Sequence, residues 1–587
     1  MLKYLLGVLS GIVLTFLTFF LLVMVAVAFR SSEPVVESNS VLVLPLRGAF
    51  HENASPELSL EYLRSGLPLT LLDLRNNIKK AAADDRIRAL ALDCGGLDVG
   101  WAKAQEIRWN IEEFKKSGKP VIAFMQVADT VDYLVASAAD QVYMAPEGVL
   151  DLKGLRAEPT FYKDTLGKLG IDAEIEHIGK YKSAGEPLSR SSMSDAYREV
   201  VNSILDEVYG QLLEAVAGSR KTTPDELRRV IDRGPFIADE ALANGLVDGL
   251  KFEDQFYDEI QQRLELDEIA KIELKRYHKI PMESLGLAGG SRIAVVYGVG
   301  QILRGSGSTD PLLGATVLGS DSFSETLRRV REDEDIKGVI VRVDSPGGDA
   351  IASDQMWREM NLLDEAKPVI ISMSDVAASG GYYLAMTGSP ILAYPGTYTG
   401  SIGVVFGRFN LRGFYDKIGV KKEILKRGYF ADIDTDYRSM TPEEREKLRS
   451  DIEVFYNGFV TKVAEARSRP FEEIHEVAQG RVWMGSQALR NGLVDEIGGF
   501  DRAIAMIKQS AGLEEDDLVT LVPYPRSKDL LELLLDRDEL ANALARHQSA
   551  DAGAMGLLRE HVERIPYWRA LLEGGMMRIA PYWVTVQ

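Results

Sequence analysis

Cysteine is nearly missing from this 587-residue chain, and histidine is scarce. The single cysteine, Cys94, excludes an intrachain disulfide and any cysteine-rich zinc site. It is expected to be a small core residue. Positive charge is in deficit: 68 lysines and arginines face 88 aspartates and glutamates, for a net charge of −20. That balance argues against nucleic-acid binding and against adhesion to anionic lipid through a basic face. It suits a large body that must stay soluble. The chain contains no His-Glu-x-x-His zinc signature, no Ser-x-x-Lys and no Gly-x-Ser-x-Gly elbow. Gly298-Val299-Gly300 follows an apolar run, but Leu303 replaces the third glycine of a dinucleotide fingerprint, so it reads as a turn. No cofactor and no metal are expected.

Charge is absent altogether from Tyr4 to Phe29. That run exceeds the ~20 apolar residues needed to cross a bilayer. A secretory leader has a shorter apolar region and then a small-residue cleavage site. Ala26-Val27-Ala28 resembles such a site faintly, so cleavage is the alternative to an uncleaved anchor over residues 1–30. Lys3 and the terminal amine oppose Arg30, so charge alone leaves the orientation open. Residues 31–40 read as a polar linker.

Beyond the linker the chain repeats itself. Ala241-Leu242-Ala243-Asn244-Gly245-Leu246-Val247-Asp248 returns as Ala488-Leu489-Arg490-Asn491-Gly492-Leu493-Val494-Asp495. Lys119-Pro120-Val121-Ile122 returns as Lys367-Pro368-Val369-Ile370. The copies lie roughly 250 residues apart, the mark of an internal duplication. Each half opens with a short apolar run, Val41 to Leu44 and Ile293 to Val296, suited to a buried strand. A helix comes next in each (Leu71 to Ala83, Phe323 to Glu332), then a strand (Ala89 to Leu92, Val339 to Val343). Strands alternating with helices imply an α/β architecture with mostly parallel sheet. The expected domains are 41–285 and 286–520. Residues 521–587 lie outside the repeat, with amphipathic helices expected over Leu530 to Ala545 and Met555 to Glu573.

The halves are not chemically interchangeable. Asp344-Ser345-Pro346-Gly347-Gly348 follows one strand, and Ala377-Ala378-Ser379-Gly380-Gly381 follows the next. Glycines at such turns let backbone amides approach a ligand, and a helix start adds donors. Two of these turns at one sheet edge would make an oxyanion hole. Ser379 alone reads as a helix N-cap or as a nucleophile. A nucleophilic serine needs a base, and none of His51, His177, His278, His475, His547 and His561 lies in a strand-end turn near Ser379. Lysine is the other option, and must be desolvated to work as the neutral amine. Lys182 follows an apolar strand in the first half. Aligning Gly170 with Gly419 sets Lys182 against Ala431, and Ser379 against Thr130 or Val131. Reciprocal loss fits either a composite site between the halves or simple drift after duplication.

Four motifs in order then carry a resemblance: Tyr181-Lys182-Ser183-Ala184 with Glu186-Pro187; Ser345-Pro346-Gly347-Gly348; Ala378-Ser379-Gly380-Gly381-Tyr382; and Thr399-Gly400-Ser401-Ile402-Gly403. From about residue 40 to 515, with the N-terminal anchor, the chain resembles the signal peptide peptidase A family in its long, two-repeat form. The resemblance implies two tandem Clp/crotonase-like repeats plus an N-terminal transmembrane helix. It implies a serine endopeptidase that degrades signal-peptide remnants and other small peptides. Ser379 would be the nucleophile, Lys182 the general base and acid, and Ser401 the residue orienting Lys182. Gly380 with Gly347 or Gly348 would bind the oxyanion. It further implies a homotetramer on the bacterial cytoplasmic membrane, with its catalytic body on the extracytoplasmic side and no nucleic-acid partner. One departure is Asp344, where the family's familiar residue is asparagine. Two other readings stand beside this one: a crotonase-like acyl-CoA enzyme, and a non-catalytic membrane scaffold.

Overall fold

The computed structural model describes residues 34–53, 68–307 and 316–525, the backbone of Gly575–Ile579, and residues 11, 14, 15, 17 and 18. The expected anchor over 1–30 lies outside the described residues apart from those five, as do the helices expected after 530. Among the described residues no helix is long and apolar enough to cross a membrane.

The architecture is mixed α/β, built around one largely parallel sheet in each half. In the first half the strand order is Phe236–Ile237, Gln141–Asp151, Val121–Asp129, Ile87–Leu97, Ser40–Gly48 and Ala270–Glu273. In the second it is Val482–Met484, Tyr398–Gly400, Val369–Ala378, Ile336–Ser345, Ser291–Val299 and Val519–Tyr524. The apolar runs seen in the sequence are the centres of these strands. Leu42, Leu44, Leu90, Leu92, Val339, Val341, Ile370 and Ile371 are all fully buried. Each such side chain contributes about 1.5–3 kcal/mol on leaving water. The strands run longer than their apolar cores because hydrogen-bonded ladders continue past the buried residues. The last one ends at Tyr524, paired with Ser291–Val299, so the boundary expected at 520 cuts through a strand of the second sheet.

The repeated motifs do the same work in both halves. Asp248 accepts the Val142 N–H and pairs with Arg220. Asp495 accepts the Ile391 N–H and pairs with Arg467. Tyr133 donates to the Leu246 carbonyl at 2.6 Å, and Tyr382 to the Leu493 carbonyl at 2.8 Å. Cys94 is buried in the first core.

A third sheet joins the halves. Its order is Val317–Gly319, Gln301–Leu303, Gly347–Asp349, Gly575–Ile579, Val404–Asn410 and Asp172–Ile178. Only the last strand comes from the first half. It runs antiparallel to Val404–Asn410, with Ile178 opposite Val404 and Asp172 opposite Asn410.

A buried ion cluster joins the halves at a second place. Arg342, 1% exposed, reaches both carboxylate oxygens of Glu52 at 2.9 Å and Glu106 Oε2 at 2.5 Å. It also donates to the Ser372 and Ser374 hydroxyls. Burial pushes the Glu52 carboxyl up, but Arg342 and Lys103 outweigh it and hold Glu52 below the usual range. For Glu106 burial wins over Arg342, and its carboxyl is pushed up.

Candidate active site

The strand Val369–Ala378 is buried along its whole length. It delivers Ser379 at the start of the short helix Gly380–Leu384. Ser379 has φ +56° and ψ −114°. A side chain at positive φ is uncommon, and such strain clusters where function over-determines the backbone. Ser379 occupies the N-cap position, yet its side chain makes no cap hydrogen bond. In the first half the cap position carries Asp129, whose carboxylate takes the N–H groups of Val131 and Asp132. Val127, Ala128 and Asp129 pair with Val149, Leu150 and Asp151 as Val376, Ala377 and Ala378 pair with Tyr398, Thr399 and Gly400, so Thr130 stands in the place of Ser379.

Lys182 arrives from the first half through the inter-half strand pair. With Ile178 opposite Val404, the turn after Ile178 meets the turn that precedes Val404. Lys182 Nζ lies 2.9 Å from Ser379 Oγ, 2.9 Å from Ser401 Oγ and 2.9 Å from the Ser401 carbonyl oxygen. Lys182 is 1% exposed, and both serines are fully buried. The Ser379 amide donates to the Gly400 carbonyl at 2.8 Å, which ties the nucleophile turn to the Ser401 turn.

The loop Gln479–Arg481 holds this arrangement, and sequence motifs give no sign of it. The Gln479 carbonyl accepts the Tyr181 N–H at 2.8 Å. The Gly480 amide donates to the Ile402 carbonyl, and the Arg481 carbonyl accepts the Ser401 N–H. A Cβ on Gly480 would stand 2.5 Å from Lys182 Cβ. An isolated glycine before a strand is the only local signal, and many glycines share it.

The Pro-Gly-Gly turn is partly strand: Gly347–Asp349 runs beside Gln301–Leu303, with Ile302 opposite Gly348. Ser345 Oγ donates to the Gly300 carbonyl at 2.7 Å and accepts the Gly347 N–H at 3.2 Å. A Cβ on Gly380 would lie 2.7 Å from Ser353 Oγ, 3.0 Å from Gly347 Cα and 3.1 Å from Gly348 N. The two glycine turns thus touch. Gly380→Ala must separate them by some tenths of an ångström, and kcat is expected to fall about tenfold, since a misplacement of ~1 Å costs about 10²-fold. Steady-state peptide hydrolysis at unchanged folded fraction checks this; a kcat within a factor of two of wild type would refute it.

Among the described residues no histidine hydrogen-bonds to Ser379. His177 Nδ1 sits 3.1 Å from the Gly179 carbonyl, and His475 pairs with the Tyr456 hydroxyl. His547 and His561 lie outside the described residues. Among those described, no group of three or more His, Cys, Asp or Glu could hold a metal. A buried hydroxyl in contact with a buried amine, beside two amide-bearing turns, is the equipment of nucleophilic acyl transfer.

Known proteins agree on the chemistry. The profile described as Peptidase family S49 matches residues 113–267 and again 361–514. The chain is 38% identical over 505 residues to "Serine protease SPPA, chloroplastic" of Arabidopsis thaliana, covering 85% of this chain and 73% of the relative. It is 32% identical over 479 residues to "Protease 4" of Salmonella typhi, covering 80% and 76%. It is 29% identical over 530 residues to "Protease 4" of Haemophilus influenzae, covering 86% and 85%. The acyl-CoA and scaffold readings fall with these matches. One match in each half, together with relatives aligned over most of both chains, places this chain in peptidase family S49, as a two-repeat serine protease.

Proposed function

We propose that this protein is a membrane-anchored endopeptidase that degrades signal-peptide remnants and other small peptides with a Ser379–Lys182 dyad. The observation that carries the reading is the 2.9 Å contact between Lys182 Nζ and Ser379 Oγ, buried and supplied from opposite halves. Neutral Lys182 takes the Ser379 proton as Oγ attacks the scissile carbonyl. The new tetrahedral oxyanion is met by the amides of Gly380 and Gly348, since the Gly347 amide is engaged by Ser345 Oγ. Lys182 then gives its proton to the departing amine, and the acyl-serine forms. Water, activated by the same lysine, releases the acid and restores Ser379. Ser401, bonded to Lys182 through both hydroxyl and carbonyl, fixes the amine's position.

The substrate would bind as a strand. The backbone of Gly575–Ile579 runs antiparallel to Gly347–Asp349 on one side and to Val404–Asn410 on the other. A peptide in that slot would add main-chain hydrogen bonds on both edges and pass beside the glycine turns, the β-augmentation mode of recognition. Deleting residues 575–587 is expected to lower KM for a short peptide severalfold at little change in kcat, because strand and substrate compete for one ladder. An unchanged KM would place the substrate path elsewhere.

The Clp/crotonase-like identity of each repeat, the homotetramer and the extracytoplasmic location on the bacterial membrane belong to the same reading. The uncharged run Tyr4 to Phe29 supports the anchor. The test is fluorophosphonate labelling in intact cells and in membrane fractions, with Ser379→Ala as control. A Ser379-dependent band that sediments with membranes, migrates as a fourfold assembly and is digested by protease added to spheroplasts is expected. A labelled band in the cytosol would refute the location; labelling that survives Ser379→Ala would refute the nucleophile.

A further inference from the structure

The first half supplies a second charged group to the neighbourhood of the site, and the activity described above does not use it. Lys103 sits in the first turn of the helix Trp101–Lys115. Its side chain is 12% exposed. Its ammonium lies 2.7 Å from Asp344 Oδ2 and 3.4 Å from Asp375 Oδ2, both in the second half. Asp344 immediately precedes the Ser345-Pro346-Gly347-Gly348 turn. Asp375 lies on the strand that ends at Ser379.

Backbone bonds complete the arrangement. Asp375 accepts the N–H groups of Gly100 at 3.1 Å and of Lys103 at 2.9 Å. It therefore caps a helix of the other half, whose own N-cap residue, Gly100, has no side chain to do so. A Cβ on Gly100 would lie 2.3 Å from the Asp375 carboxyl carbon, so glycine there makes room for the incoming carboxylate. Asp344 Oδ1 accepts the Val376 N–H at 3.1 Å, tying the oxyanion strand to the nucleophile strand. Glu52 also acts on Lys103, and is itself bound by Arg342, with Glu106 beyond it. Burial pushes the Lys103 ammonium down, but Asp344, Asp375 and Glu52 outweigh it and hold it above the usual range. It is a fixed charge, unsuited to shuttling protons.

Resting on the reading of Ser379 as nucleophile, we propose that Lys103 is a positioning residue: it neutralises the Asp344–Asp375 pair and so fixes the spacing between the oxyanion turn and the nucleophile turn. Without the ammonium, two buried carboxylates face each other at the base of the two turns that must cooperate at one carbonyl. Their repulsion would act between the two strands that lead into the Gly348 and Gly380 turns. Substrate binding along the strand slot is unaffected, so the loss falls on kcat.

The test uses the full chain with Lys103→Met, Asp344→Asn, the double variant and Ser379→Ala. The readouts are fluorophosphonate labelling rate and kcat and KM on a fluorogenic peptide, each per folded molecule. Lys103→Met is expected to slow labelling and lower kcat by about tenfold or more, with KM within about twofold. The double variant is expected to recover to within about threefold of wild type, because one carboxylate no longer faces the other uncompensated. The side-chain amide introduced by Asp344→Asn can still accept from the Val376 N–H and can donate to Asp375. A purely structural role would lower the folded fraction and leave kcat per folded molecule unchanged; that result overturns the proposal. So does a double variant as slow as Lys103→Met. Should Lys103→Met not fold, the double variant decides: near-wild-type kcat supports the proposal, and slow turnover or failure to fold overturns it. Labelling that persists in Ser379→Ala overturns the nucleophile reading instead, whereas a dead Ser379→Ala beside a fast Lys103→Met overturns the positioning role alone.

Discussion

Ser379→Ala and Lys182→Ala are each expected to lower peptide hydrolysis by at least about 10³-fold, and the double variant to fall little further. On the proposed mechanism the two groups act as one unit: the hydroxyl is a poor nucleophile until its proton has somewhere to go, and the amine has no other task once the hydroxyl is gone. KM should stay near wild type in all three, because on the proposed reading substrate is held by strand pairing and not by the dyad. Residual activity above water is expected from the glycine amides, which remain in place. Fluorophosphonate labelling separates the roles. Ser379→Ala has no atom to label, whereas Lys182→Ala keeps the hydroxyl and should label far more slowly. Wild-type rates in Lys182→Ala would show that another base serves Ser379 and would sink the dyad.

Arg342→Leu is expected to destabilise the protein by about 3–5 kcal/mol, the usual result of removing one partner from a buried ion pair. Its guanidinium is the shared counter-ion of Glu52 and Glu106, and it is held by two serine hydroxyls as well. Leucine fills much of the volume but leaves two carboxyls buried without that cation. A melting-temperature loss of about 3–5 °C is expected for a chain of this size. The pH dependence fixes the cause. In the wild type Glu52 is held below its ordinary value of 4.5, so its share of stability is present above 4.5 and lost as pH falls through the lowered value. In the variant burial acts on both carboxyls with Arg342 gone, so their folded values lie above 4.5 and the folded state prefers them protonated. That stability is present below 4.5 and lost as pH rises. The deficit against wild type should therefore be full at neutral pH and shrink as pH falls toward 4.5. A deficit independent of pH would point to packing in place of charge.

Much of the frame was legible along the chain because it rests on local pattern. The helix Leu71–Ala83 starts and stops where its periodicity and its Thr70 cap require. The apolar runs at Val41, Ile293 and Val339 mark strand centres, although the hydrogen-bonded ladders extend beyond them. The duplicated Asn-Gly-Leu-Val-Asp segments announce two equivalent units, and the same aspartate–arginine pair closes both. The Pro-Gly-Gly and Ser-Gly-Gly turns stand out because each sets a pair of glycines just after an apolar run.

Contacts across the halves have no signature in local pattern, and the pairing of Lys182 with Ser379 was implied by the family resemblance alone. Lys182 and Ser379 are 197 residues apart, and only the pairing of Asp172–Ile178 with Val404–Asn410 sets them together. No local spacing encodes that register. The loop Gln479–Arg481 supports Lys182 through its backbone, which leaves almost no trace in side-chain identity. Asp344 and Asp375 look like ordinary strand-end acids until Lys103 is placed between them. Arg342 reads as a charge inside an apolar run, and its partner Glu52 lies 290 residues away. By itself the sequence determined two α/β units, their strands and helices, and the residue types capable of acyl transfer, since periodicity and turn chemistry act over a few residues. The tertiary structure alone decided how Lys182 reaches Ser379 and which buried charges balance, since desolvation and Coulomb forces depend on distances that only folding creates.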